Sequence, residues 1–447
     1  MSCISLRQWI KQLDREGYLK HVKREVDFKY ELACLGKKSD GKYSLFFDNV
    51  KDSNIPVITG IAGTRELFAL AMGVPSDKVA EHFAEAQANP GDCIMVDSDK
   101  APVKEEITLK VNLNNLPIPI HHEKDGGRYI TSGVLIAKDP ITGIRNLSIH
   151  RLQVLAEDRL GILILPRHLS NFFREAEKRN KPLDVAIAVG LDPLFLLASQ
   201  ALTPPGVDEL TIASSLYNRP VELVKCKTVD LEVPAQAEIV LEGHIIPGVR
   251  EEEGPFGEYP KYYGPKSLKP VIKLTAMTSR NKPIYHTIVP ATMEHMLLGA
   301  IPREGGLLQL VRNAVPTVCG VHFTPGGTCR YHAVISIDKK NRGEAKNAIF
   351  AAFGSSQEVK HVVVVDKDVN IFDPVDVEWA IATRCQAYKD VFIVPCASGN
   401  VLDPSSDKGL SDKMGIDATV PLDAEPGRFE RIRIPGENEI KLEEYIE

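Results

Sequence analysis

None of the eight cysteines (Cys3, Cys34, Cys93, Cys226, Cys319, Cys329, Cys385 and Cys396) forms a Cys-x-x-Cys pair, and no histidine cluster lies near them at zinc-site spacing. A zinc module is therefore not expected, and the thiols read as reduced and mostly buried. Apolar runs such as Gly161–Leu165 and Val362–Val365 are strand length, far short of the ~20 residues that span a bilayer. Met1–Trp9 has no charged n-region followed by an apolar h-region, so no secretory signal is read and a cytoplasmic protein without membrane contact is expected. The formal net charge is −6 and no stripe of Lys and Arg appears, which argues against a nucleic-acid partner. No Gly-x-Gly-x-x-Gly stands at a strand-to-helix turn, so a Rossmann reading fails.

What is present is an ordinary globular composition, 43% hydrophobic and 26% charged, spread over 447 residues. That length exceeds the ~250–300 residues at which one core stops growing, and two or three domains are expected. Apolar positions 6, 9, 10 and 13 mark an amphipathic helix that ends at Gly17. Short strands follow at Leu19–Val26, Tyr43–Phe47 and Ile55–Gly60, with a helix through Tyr30–Cys34 and another over Arg65–Met72 capped by Thr64. From Ile107 to about Pro290 strand signals dominate, at Thr131–Ala137, Leu147–Val154, Val185–Val189, Ala237–Glu242 and Val271–Thr275. They indicate a barrel or curved sheet, with Leu116–Pro119 excluded from its centre by its prolines and one helix at Asn171–Lys178 capped by Ser170. After Pro302 a connecting helix is read at Leu307–Ala314, then a second α/β unit with strands His332–Ile337, His361–Val365 and Val391–Val394 and helices Arg342–Ala352 and Val375–Thr383.

The chemistry centres on Glu253-Gly254-Pro255-Phe256-Gly257-Glu258. Two glycines and a proline in six residues make this a loop, because Pro lacks the N–H and Gly gives up the most backbone entropy. It sets two carboxylates five residues apart on a backbone that can approach a ligand closely, where neighbours can push their pKa values apart. Acidic Gly/Pro loops are also ordinary solvated turns, and the loop alone does not decide between these. Asn146, His168 and Glu209 offer an amide oxygen, an imidazole and a carboxylate, a set suited to Mn²⁺ or Mg²⁺ once phosphate oxygens join it. With separations of 22 and 41 residues they form no local motif, and unaided they read as a turn residue, a surface histidine and a solvated charge.

Taken in order, Arg145–Arg151, Pro166–Leu169, Pro204–Glu209 and the Glu-Gly-Pro-Phe-Gly-Glu run resemble the UbiD family of reversible decarboxylases, over most of the chain. The resemblance implies an α+β architecture: an N-terminal α/β segment (1–106), a split-β-barrel-like flavin-binding domain (107–302), a connecting helix (303–318) and a C-terminal α/β oligomerisation domain (319–447). It implies prenylated FMN as cofactor, supplied by a flavin prenyltransferase, with Mn²⁺ or Mg²⁺ held by Asn146, His168 and Glu209 and a neighbouring K⁺ tying the flavin phosphate to the protein. Thr131, Ile149, His150, Arg151, Arg167, His168 and Ser199 match positions lining the flavin. Arg151 is placed between Glu253 and Glu258 as the catalytic network, although a continuous strand over Leu147–Val154 would turn Arg151 away from Asn146. Arg167 departs from the neutral polar groups other members carry before the metal histidine.

His295 and Arg303 read either as a capping histidine and an arginine paired with Glu304, or as a second anion anchor in the substrate pocket. Pro302 is expected to break any helix between them. The anchor reading gives a planar heteroaromatic diacid as substrate, furan-2,5-dicarboxylate going to 2-furoate and CO₂. The alternatives are a hydroxybenzoate-type decarboxylase of the same family and a non-catalytic metal-dependent flavin-binding protein. A homodimer or larger homo-oligomer is expected, built on a C-terminal unit that carries none of the site residues.

Overall fold

The computed structural model describes residues 5–436, 439–441, 444 and 445; Cys3 and the Met1–Ile4 part of the N-terminal reading lie outside them. The chain opens on a helix, Leu6–Arg15, started by the Ser5 hydroxyl accepting from the Gln8 N–H and buried through Leu6, Trp9 and Leu13. Strands Leu19–Val22, Ser44–Phe47 and Val57–Thr59 form a small sheet whose fourth strand, Tyr285–His286, comes from far along the chain and runs parallel to Val57–Thr59. That pairing fastens the N-terminal unit to the end of the central one. The helix Arg65–Met72 has the expected limits, with the Thr64 hydroxyl accepting from Leu67 N–H and Gly73 closing it in the left-handed conformation.

The centre is a nine-stranded antiparallel half-barrel. Its strands are β1 (Glu106–Thr108), β2 (Tyr129–Ile130), β3 (Val134–Lys138), β4 (Arg145–Ile149), β5 (Leu152–Ala156), β6 (Arg159–Ile162), β7 (Leu183–Val189), β8 (Ile239–Glu253) and β9 (Ser267–Ser279). The spatial order is β2-β5-β6-β9-β8-β7-β3-β4, with β1 added against β9. Two helices begin at one end of it, α1 (His168–Lys178) and α2 (Glu209–Tyr217). A 22-residue helix, α3 (Met293–Ala314), leads to the C-terminal unit. There β10 (Val318–Phe323), β11 (His332–Ile337), β12 (His361–Asp366), β13 (Val391–Ser398) and β14 (Leu410–Ala418) form a sheet in the order β10-β11-β12-β14-β13, covered by helices Glu344–Ser355 and Pro374–Arg384.

Four sequence expectations are corrected. Leu147–Val154 is not one strand: the chain leaves β4 at Ile149, passes through His150 and Arg151 outside any strand, and enters β5, which sits next to the far edge strand β2 in the sheet order. The period-2 rule does not cross such a break, and Arg151 and Asn146 line the same cavity. The helix expected at Asn171 begins three residues earlier, at His168, with Arg167 rather than Ser170 at the cap position. Pro302 lies inside α3 and does not end it. A helix-interior proline costs ~3 kcal/mol, whereas each buried Leu, Ile or Met contributes ~1.5–3 kcal/mol, and α3 buries Met296, Leu297, Leu298, Ile301, Leu307 and Leu308. His295, Gly299 and Arg303 therefore share one helix face at i, i+4 and i+8. Finally, the described cysteines are free but not mostly buried: Cys34, Cys319 and Cys396 are exposed, Cys93, Cys226 and Cys385 are half-buried, and Cys329 alone among them is buried. Among the described residues no helix is long and apolar enough to cross a membrane.

Candidate active site

A cavity of about 510 Å³ opens between the β4–β5 end of the half-barrel, the β8–β9 connection, α3 and loops of the C-terminal unit. Every residue read from the sequence as a site residue lines it, except Glu253, which lies directly behind Arg151. Three groups of side chains divide its wall.

The first is carried by the β8–β9 connection. The long strand β8 exposes Val249 and Arg250 before it turns Glu253 fully inward. Gly254 follows at φ +94°, and a Cβ there would press on the Pro265 carbonyl at 3.0 Å. Gly257 cannot carry a side chain either, since a Cβ would stand 2.4 Å from the His122 ring, and its N–H donates to Asp125 Oδ1 at 2.9 Å. The loop thus returns through the short pairing of Phe256–Gly257 with Tyr263–Gly264 and brings Glu258 to the cavity. Arg151 Nη2 donates to Glu253 Oε2 at 2.6 Å, its Nη1 is ion-paired with Glu258 Oε1, and its guanidinium lies 5.3 Å from the Phe256 ring centroid. Tyr129 supports the far side of Glu253 through its hydroxyl, 3.2 Å from Oε1.

The two carboxylates are thus not equivalent. Burial raises the Glu258 pKa, the Arg151 charge and hydrogen bond oppose that, and repulsion from Glu253 adds to it; the sum is above the ordinary glutamate value. Glu258 thus holds a proton to higher pH than an ordinary glutamate does.

The second group sits where α1 and α2 begin. His168 and Glu209 are the first residues of these helices, and Asp208 caps α2 by accepting from Leu210 N–H at 3.0 Å. Asn146 Nδ2 reaches Glu209 Oε1 at 2.9 Å and His168 Nδ1 at 3.4 Å, so the three side chains separated in sequence meet. The Glu209 carboxylate is buried and receives hydrogen bonds from the neutral donors Asn146, Leu147 N–H and Thr203, and burial pushes its pKa up to about 7. Among the described residues no three His, Cys, Asp or Glu side chains cluster as a metal site by themselves. The donor set here needs an amide oxygen and ligand oxygens as well, which is the coordination habit of a hard divalent ion. Two helix N-termini facing one corner suit a phosphate in the same place. His150 is held neutral, its pKa pushed down to about 4 by burial, with Nδ1 against the Leu163 carbonyl and Nε2 against Ser148 Oγ. Thr131 accepts from Ile288 N–H at 3.2 Å, and Ser199 donates to Leu196 carbonyl at 2.6 Å.

The third group lies along α3. Arg303 does not pair with Glu304, which is engaged by Arg65 and His322; it pairs with Glu358, Nε to Oε2 at 2.7 Å, and donates through Nη1 to the Gly299 carbonyl. His295 is not cationic, since burial holds its pKa down to about 3, and its Nδ1 accepts from Ala291 N–H. The proton therefore sits on Nε2. Arg330, Glu358 and Leu402 of the C-terminal unit also line the cavity, contrary to the expectation that this unit carries none of the site. Tyr259 ties the two units together, its hydroxyl 3.0 Å from that of Tyr331 and accepting from Asn400 Nδ2 at 2.7 Å.

With this geometry in hand, comparison with known proteins gives a consistent class. Residues 10–87, 94–293 and 296–418 match, in order, the N-terminal, Rift-related and C-terminal domain models of 3-octaprenyl-4-hydroxybenzoate carboxy-lyase. The chain is 41% identical over 428 residues to the anhydromevalonate phosphate decarboxylase of Methanothermobacter thermautotrophicus, covering 96% of this chain and 99% of that one. Among solved structures, the UbiD-class enzyme HmfF from Pelotomaculum thermopropionicum in complex with FMN is 62% identical with a TM-score of 0.98, over 99% of this chain and 100% of that one. The apo 3,4-dihydroxybenzoic acid decarboxylase of Enterobacter cloacae is 31% identical with a TM-score of 0.92, over 97% of each chain. Fold and domain order are those of a carboxy-lyase. The chain belongs to the UbiD family of decarboxylases.

Proposed function

We propose that the protein catalyses the reversible, non-oxidative decarboxylation of a heteroaromatic acid with prenylated FMN, furan-2,5-dicarboxylate to 2-furoate and CO₂ being the first candidate. The observation that carries this reading is the Arg151 guanidinium fixed between buried Glu253 and Glu258, whose pKa burial raises, at the cavity wall. Pure binding of a flavin has no use for such a trio.

Bound prenylated FMN supplies the electron sink that departure of CO₂ from an sp² carbon needs and that no side chain provides. The chain's residues do the rest. Arg151 is the cation that meets the scissile carboxylate, and Glu253 with Tyr129 behind it keeps the guanidinium in one orientation. Glu258 delivers the proton that replaces the carboxylate group, so that carboxylate plus proton becomes product plus CO₂. Phe256, Tyr259 and Leu402 exclude water from that end. Asn146, His168 and Glu209 would hold Mn²⁺ or Mg²⁺, with K⁺ as a companion, to offset the charge of the cofactor phosphate, and Thr131, Ile149, His150, Arg167 and Ser199 would line the flavin. A dimeric form of the Pelotomaculum enzyme bound to prFMN supports the same cofactor here.

The diacid reading rests on the excess of cationic groups at the α3 end of the cavity. The methanogen relative named for a phosphorylated acid supports a second reading, an unsaturated acid carrying a remote phosphate, which would use the same groups. The test is release of CO₂ and 2-furoate from furan-2,5-dicarboxylate by protein co-produced with a flavin prenyltransferase, set beside a hydroxybenzoate and a phosphorylated unsaturated acid. Turnover of the hydroxybenzoate alone would overturn the substrate and leave the class.

We also propose that residues 319–447 form a subunit contact. Val375, Tyr388, Ile393 and Val401 expose large apolar side chains there. Light scattering is expected to give at least twice the 49.3 kDa chain mass, and a monomer at micromolar concentration contradicts it.

A further inference from the structure

Resting on the decarboxylase reading above, we propose that Arg330, and not Arg303, is the charged partner of the acid group at the end of the substrate remote from Arg151, with the Nε2–H of neutral His295 as its companion donor.

Arg330 is 7% exposed, yet among the described residues no carboxylate lies within ion-pair distance of its guanidinium. Among the described residues its one hydrogen bond is a long one, Nη1 to the Thr328 carbonyl at 3.4 Å. The remaining N–H groups have no partner among the described residues and are not sealed off, and the side chain lines the cavity. Arg303, by contrast, is already neutralised by Glu358 and committed to the Gly299 carbonyl. Glu358 thus serves Arg303, and of the two other guanidinia near it, exposed Arg167 and buried Arg330, Arg330 is the one held inside the wall without an ion-pair partner among the described residues. A buried unpaired cation is costly, and an arriving anion offsets that cost.

The placement of Arg330 is built in three ways. Thr328 and Cys329 both adopt left-handed backbone, at φ +57° and +56°, in a turn closed by Cys329 N–H to the Thr324 carbonyl at 2.9 Å. The guanidinium stacks on Tyr259, 4.1 Å from the ring centroid. Its other side lies on α3 at Gly299, where a Cβ would be 2.1 Å from Nη2. Only a glycine on that face, between His295 and Arg303, leaves the space. His295 fits beside it: with Nδ1 accepting from Ala291 N–H, its unpartnered Nε2–H is a neutral donor at the cavity wall.

The experiment is calorimetric titration of the protein loaded with unmodified FMN, which lacks the electron sink for turnover, with furan-2,5-dicarboxylate and with its monomethyl ester, which keeps the ring and one carboxylate but has no remote charge. The wild type is expected to bind the diacid roughly 10- to 100-fold more tightly, the worth of one charge-assisted contact. Arg330→Gln should erase that preference, Arg330→Lys restore part of it, and Arg303→Gln retain it. Gly299→Ala, which pushes the guanidinium aside, should reproduce Arg330→Gln and carries the test if that variant fails to fold. Equal binding of the two ligands by the wild type, or an undiminished preference in Arg330→Gln or Gly299→Ala, overturns the assignment. Preferential binding of the diacid without its turnover by the protein loaded with prenylated FMN leaves Arg330 in place and sinks the furan substrate instead.

Discussion

The two ends of the cavity treat arginine in opposite ways. At the β8–β9 end Arg151 is shared between two glutamates, and at the α3 end one glutamate serves Arg303 while Arg330 has none. A guanidinium between two carboxylates cannot add much net attraction for an anion, but it fixes geometry, while burial holds the proton of Glu258 to higher pH than an ordinary glutamate's. A guanidinium with no carboxylate attracts and orients. The first arrangement is suited to moving a proton, the second to choosing a ligand.

The comparison breaks most visibly at Glu258. Glu258→Gln keeps the shape and removes the proton, and turnover is expected to fall by ~10²–10⁴-fold with flavin content unchanged. Wild-type turnover in the purified variant would remove Glu258 from the chemistry. Next in size is the phosphate corner, which neither arginine group replaces. Glu209→Ala or His168→Ala should weaken metal-dependent flavin retention by roughly 10–100-fold, read as flavin and manganese content after dialysis, and equal content would place the ligands elsewhere.

A smaller effect sharpens the contrast directly. Glu358→Gln frees Arg303, makes the α3 end resemble an unpaired pair, and should tighten diacid binding a few-fold while leaving monoester binding alone; a weaker diacid would show that Glu358 positions Arg330 as well. The pH dependence is a difference in shape more than size. A carboxyl whose pKa is raised stays protonated to higher pH, so the decarboxylation rate should fall as pH rises through a value above 4.5, and Glu258→Gln should lose that limb. A falling limb at or below 4.5 would contradict the assignment.

Much of this was legible in the chain. The Gly/Pro punctuation of 254–257 marks a loop that must be tight, and Gly254 and Gly257 prove to be where backbone and His122 leave no room. The Thr64 cap and strand His332–Ile337 are local signals, and they held to the residue. What was not legible depends on distant contacts. The break at His150–Arg151 has no Gly or Pro to announce it, since it is imposed by strands that join opposite ends of the sheet. The continuity of α3 through Pro302 is decided by burial on both sides of the proline. Arg330 follows a Gly326–Gly327 turn in a unit that reads as separate from the site, and its lack of a partner is visible only after Glu358 has been seen to choose Arg303.

The central claim is that acid loss is followed by protonation of the same carbon from Glu258. The direct measurement is turnover of furan-2,5-dicarboxylate in D₂O by the flavin-loaded protein, with the product read by mass and NMR. The account predicts 2-furoate carrying one deuterium at the carbon that lost its carboxyl group, formed by the wild type and not measurably by Glu258→Gln. Unchanged diacid in the presence of bound prenylated FMN, or equal formation of deuterated product by both proteins, would contradict it.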